Sequence, residues 1–137
     1  MFEQLTQYYN DIGLLTLRLA VAVIFIYHAL PKLKNAKGMS QMMGMPAGMI
    51  FMLGGVEFLS SVGLALGIYA QLAAVLLAIV MIGAIYFKTA KWRVPFAAMD
   101  KTGWEFDFIL LAANIAILLS GGGQLRFNDK GRKLLKI

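Results

Sequence analysis

Four apolar runs constrain this 137-residue chain more than any motif, at about residues 12–31, 48–68, 71–87 and 104–120. Each approaches the ~20 residues an α-helix needs to cross the hydrocarbon core of a bilayer. The pattern predicts an all-α fold, an integral membrane antiparallel four-helix bundle that forms one domain over 1–137. Sixty percent of the residues are hydrophobic, above the ~45–50% usual for soluble domains. A domain this small has too much surface to hide such an excess in a single core. Lipid is the expected solvent.

The connections carry the charge. Net charge is +6, but the basic residues sit in short bursts between apolar runs, where headgroups and water are met, so nucleic acid is not an expected partner. Lys32, Lys34 and Lys37 open the connection at about 32–47; Lys88, Lys91, Arg93, Asp100 and Lys101 lie in the one at about 88–103, with Trp92 and Phe96 as interfacial anchors. The second and third runs are so close that they predict a tight helical hairpin near 68–71. With four spans, both long connections fall on one side and the termini on the other. Met1 to Asp11 contains no basic residue, so it does not read as a cleaved signal. The flanks of the first run favour termini outside, whereas Arg126, Lys130, Arg132, Lys133 and Lys136 argue the other way. The expected location is the plasma (cell inner) membrane, multi-pass. Absence of cysteine removes thiol chemistry and cysteine-held metal. Gly63 and Gly67, and Ala112 and Ala116, are small-residue pairs suited to close helix approach. Gly121, Gly122 and Gly123 read as a helix stop.

Ionisable residues inside hydrocarbon are costly and need a reason. Arg18 lies in the first run and Glu57 near the middle of the second. The expectation is a buried Arg18–Glu57 pair; in the alternative, Arg18 snorkels to the near interface and Glu57 is carried neutral. Arg18, Phe25, His28 and Lys32 fall within a sector of roughly 80° on a helix. Pro31 is expected to kink or end that helix. Glu105 and Asp107 open the fourth run, where acidic residues suit the positive helix end, yet they stand about 200° apart and cannot face one neighbour. Asp107 shares its stripe with Asn114. The candidate pocket or proton-relay residues are therefore Arg18, His28, Lys32, Glu57, Glu105, Asp107 and Asn114. Six of nine methionines fall in Met39 to Met52. Thioethers bind Cu(I), but no cysteine or second histidine supports such a site, so no metal is expected. The tract reads as an interfacial loop or short helix covering the mouth, methionine being a flexible apolar filler.

The spacing Arg18…Phe25-x-x-His28-Ala-x-x-Lys32-Leu33 resembles the first-helix signature of the DoxX family. Gly-Gly-Val-Glu57 with Gly63 and Gly67 is similar to that family's second helix, and Gly103-Trp-Glu105 to its fourth. The glycine-rich end with Asp129 resembles its C-terminal ending. The chain departs from the pattern at Ala29, where glycine is usual, at Gly122, where proline is usual, and around Arg126-Phe-Asn-Asp129. The resemblance implies a four-helix membrane protein. Some relatives are membrane subunits of quinone-linked oxidoreductases, others belong to sulfur and oxidative-stress complexes, and a distant animal branch assists assembly of ligand-gated channels.

With one histidine, the chain cannot give two imidazoles to a haem, and it has no dinucleotide fingerprint. Electron transfer would pass through a bound quinone or a partner protein. The leading expectation is a membrane subunit of a quinone-linked redox complex, with quinone as cofactor. The alternative is a non-catalytic adaptor or chaperone for another membrane protein; a protein partner or homo-oligomer is expected in either case. Solute carriage is disfavoured, because no run shows the glycine or proline break of a midplane site.

Overall fold

A computed structural model describes residues 1–127. Asp129 and the tail cations Lys130, Arg132, Lys133 and Lys136 lie outside the described residues. The elements run α1 (Phe2–Lys34), α2 (Ala36–Met43), α3 (Ala47–Leu66), α4 (Ala70–Tyr86), a π-helical turn (Phe87–Lys91) and α5 (Glu105–Ser120). Among the described residues three helical segments are long and apolar enough to cross a membrane: α1, α3, and α4 with its π turn. At 16 residues, α5 is ~24 Å long and completes the four-helix bundle.

α1 starts ten residues before the apolar run. Residues 2–11 contain neither glycine nor proline, so nothing interrupts the helix, but their polar content conceals it from a search for apolar runs. Its 33 residues make ~50 Å of helix, and residues 2–10 are exposed beyond the bundle. The other end also corrects expectation. The helix continues past Pro31 to Lys34, and the Asn35 N–H donates to the Pro31 carbonyl at 2.8 Å. Proline in the last turn deprives only the Tyr27 carbonyl of its helical donor, so the cost stays small.

The methionine tract forms the short α2. Asn35 Oδ1 accepts from the Gly38 N–H at 3.1 Å to cap it, and Gly44 ends it at φ 69°. The α3–α4 hairpin turns on Gly67 at φ 73°, where the Ile68 N–H donates to the Gly63 carbonyl at 2.9 Å. Gly63 thus serves its own turn, while Gly67 both turns the chain and admits close neighbours: a Cβ there would stand 2.7 Å from Arg18 Nη2 and 3.1 Å from Arg126 Cα. Ala112 and Ala116 are exposed, so that predicted small pair faces outward.

Four helices form a ring in the order α1, α3, α4, α5. α1 lies along α3 and α4 along α5; α1 and α4 are diagonal, with side chains filling the space between them. Val21, Phe25, Leu64, Ala74, Leu77 and Ile117 form the centre of the core. Outward positions are apolar too: Val23, Leu59, Ile79 and Ile109 are exposed. A contiguous apolar exterior around a partly polar interior suits a lipid solvent.

Candidate functional site

At the end of the bundle where α1 finishes, two ion pairs stand on opposite walls. The first joins α1 to α3. Lys32 Nζ donates to both Glu57 carboxylate oxygens at 2.6 Å, and the Glu57 side chain is 2% exposed. Gly54 makes this contact possible. A Cβ there would stand 2.8 Å from Lys32 Cβ and 3.2 Å from the Ala29 carbonyl, so only glycine lets α1 cross this closely. Beside Ala29 the close approach is supplied by Gly54 on the facing helix.

The second pair joins the end of α4 to the start of α5. Lys88 Nζ lies 2.6 Å from Asp107 Oδ2. The contact is off hydrogen-bonding directions, so it is ionic and the oxygen accepts no hydrogen bond. Lys88 is carried by the π turn, a widened coil found often at functional sites. That turn also aims Phe87 inward, with Trp92 following it.

Between the walls lies a cavity of about 490 Å³, within the ~300–1,000 Å³ usual for small-molecule sites. Its walls are mainly apolar, with Phe25, Leu53, Met81, Phe87, Trp92, Phe106 and Leu110 among them. Its polar groups are His28, Lys32, Glu57, Lys88, Thr102 and Asp107. The His28 ring stands at the α1–α5 seam, 5.7 Å between centroids from Phe106. Met39 and Met43 of α2, Met45 and Met49 cover the mouth.

The predicted Arg18–Glu57 pair does not form. Arg18 lies 14 residues before Lys32, ~21 Å along α1, and so reaches the opposite end of α3. It is 1% exposed. Its Nε donates to Leu64 O at 2.8 Å and Nη2 to Ala65 O at 3.4 Å; Nη1 donates to Gly122 O at 2.7 Å and Leu125 O at 2.8 Å. Carbonyls at helix C-termini lack intrahelical donors and carry the negative end of the dipole. One guanidinium satisfies such carbonyls at the end of α3 and two more, Gly122 O and Leu125 O, in the segment that follows α5. Asp11 secures the same corner by accepting the Gln124 N–H at 2.9 Å.

The structure thus brings together His28, Lys32, Glu57 and Asp107 of the predicted residues, and adds Lys88 and four methionines. Arg18 lies at the other end. Glu105 is exposed outside the cavity. Asn114 is fully buried, donating to Leu110 O at 2.9 Å, and does not line the cavity. Lys88 was visible only as a loop cation near a helix end. No spacing rule reveals a π turn that directs it inward.

A DoxX family model matches residues 13–90, more than half of the chain. The chain belongs to the DoxX family. The matched span carries His28, Lys32, Glu57 and Lys88, while Asp107 lies beyond it. This DoxX chain is 32% identical over 129 residues to "Putative oxidoreductase CatD" of Bacillus subtilis (strain 168), covering 90% of this chain and 92% of the relative. No solved structure matches it.

Proposed function

We propose that this DoxX protein is the membrane subunit of a quinone-linked redox complex and that its cavity holds the quinone. One observation carries the reading: an apolar, aromatic-lined cavity flanked by two ammonium–carboxylate pairs on facing walls. Each cation is matched by a carboxylate, so the walls are close to electroneutral and suit a neutral, lipophilic ligand. Each ammonium has three N–H donors, enough to hold its carboxylate and still reach a ligand carbonyl. Glu57 and Asp107 provide carboxylates where protons can be held beside the ligand. A quinone, when bound, supplies the two-electron chemistry; the chain's own residues bind it, orient it and exclude water. The relative named an oxidoreductase agrees with this assignment. The electron donor is then a partner protein, and the protein sits in the plasma membrane as a multi-pass bundle.

Trp92 lines the cavity and Trp104 does not, and these are the two tryptophans of the chain. A Trp104→Phe variant in lipid nanodiscs therefore makes Trp92 a local reporter. Titration with a short-chain benzoquinone or naphthoquinone is expected to quench it saturably. Quenching that stays linear, as for free tryptophan, overturns the assignment.

A second reading has its own support. Residues 2–10 of α1 project beyond the bundle with Phe2, Leu5, Tyr8 and Tyr9 exposed, a surface suited to an adaptor that grips another membrane protein. Under that reading, alanine at these four positions releases co-purifying chains without altering quinone quenching.

A further inference from the structure

We propose that the methionines at the cavity mouth are a peroxide-modification site whose oxidation closes the cavity to its lipophilic ligand; the ligand class rests on the function proposed above. Five of nine methionines line this one space: Met39, Met43, Met45, Met49 and, from α4, Met81. Met39 and Met43 are four residues apart on α2 and so present the same face. Among the described elements α2 packs on α1 and α3 and not on α4 or α5, which seats it as a cover on one wall.

Access is graded. Met1, Met42 and Met99 point outward at 86%, 86% and 106% exposure and Met52 at 65%, Met49 is 39% exposed, Met39 and Met43 are half-buried, and Met45 and Met81 are 6% exposed. Hydrogen peroxide therefore reaches the outward-facing Met1, Met42, Met52 and Met99 first, then the outer ring of the mouth. In the reaction the peroxide O–O bond breaks and a sulfur–oxygen bond forms. The sulfur loses two electrons to the peroxide, and the departing oxygen leaves as water with both hydrogens. The product sulfoxide is polar and enzymatically reversible. Its oxygen is a strong acceptor in a wall that was apolar, and it competes for the N–H donors of Lys32 and Lys88. A lipophilic ligand loses both its apolar contacts and its donors.

The test uses the full chain in nanodiscs with Trp92 as reporter, treated with hydrogen peroxide and mapped by peptide mass spectrometry. Sulfoxide at Met39, Met43 and Met49 is expected to weaken short-chain quinone binding by about tenfold, the scale of an apolar contact turned polar. Methionine sulfoxide reductases should restore it. Met42→Leu with Met99→Leu should leave the peroxide effect in place. A Met39→Leu, Met43→Leu, Met49→Leu triple, whose swaps conserve volume, should show the same affinity before and after peroxide, whatever that affinity is. Sulfoxide confined to Met1, Met42, Met52 and Met99, or present at the mouth with unchanged affinity, overturns the proposal. Absence of saturable quenching in untreated protein strikes instead at the function itself, and at this proposal with it.

Discussion

Single side chains decide what each end of the bundle does. Glu57 is nearly fully buried against Lys32, and removing one partner of such a pair leaves an uncompensated charge. Glu57→Gln should lower stability by about 3 kcal/mol, toward the lower end for buried pairs because Lys32 is partly solvated, and should weaken quinone quenching. Replacing both partners, as Lys32→Met with Glu57→Leu, is expected to recover the melting temperature without the quenching. Recovery of both would remove the pair from ligand binding. At the far end, Arg18→Lys keeps the charge but loses the planar fork that ties the end of α3 to the segment after α5. We expect a stability loss of about 2 kcal/mol or more from the orphaned carbonyls, with quinone quenching unchanged. A large change in quenching would mean that the two ends are coupled.

At the scale of elements, the α1–α3 crossing sets the first wall of the cavity and Gly54 sets the crossing. Gly54→Ala puts a methyl against Lys32 Cβ and the Ala29 carbonyl, and overpacking of this kind costs ~1–3 kcal/mol. The adjacent Gly55→Ala meets nothing within 4 Å and should gain about 0.5 kcal/mol from helix propensity. Thermal unfolding of the two variants in one detergent tests this; equal melting temperatures would remove the crossing from the argument. The π turn at Phe87–Lys91 plays the matching part on the second wall. Its widened coil directs Lys88 to Asp107 while the chain leaves toward Trp92.

Taken whole, among the described residues the cavity end carries Lys32, Lys34, Lys37, Lys88, Lys91, Arg93 and Lys101, and the opposite end carries Arg18 and Arg126 beside Asp11 and the projecting start of α1. The chain contains no cysteine, so single introduced thiols report topology without background. Lys37→Cys on α2 and Gln4→Cys on α1 are both at exposed positions. They should react with a membrane-impermeant maleimide from opposite sides of sealed vesicles, Lys37→Cys from the cytoplasmic side. Labelling of both from one side would exclude α1 as a span.

Four apolar runs were enough for the four bundle helices and the lipid setting, because hydrophobicity and length act locally and survive in one dimension. The same holds for the polar stripe of His28 and Lys32 on α1, and for Asp107 rather than Glu105 lying in line with Asn114. The pairing of charges was not legible. Arg18 and Lys32 are both cations on one face of α1, and the choice of partner for Glu57 depends on the register of two antiparallel helices. That register follows from the true ends of α1 and from the Gly54 crossing, neither of which an apolar run marks. Lys88 entered the site through a change of helical pitch, and the methionine tract through the seating of α2 on one wall. Local sequence determined which groups had to be buried; three-dimensional register decided what they meet, because burial is a property of a segment and contact is a property of two.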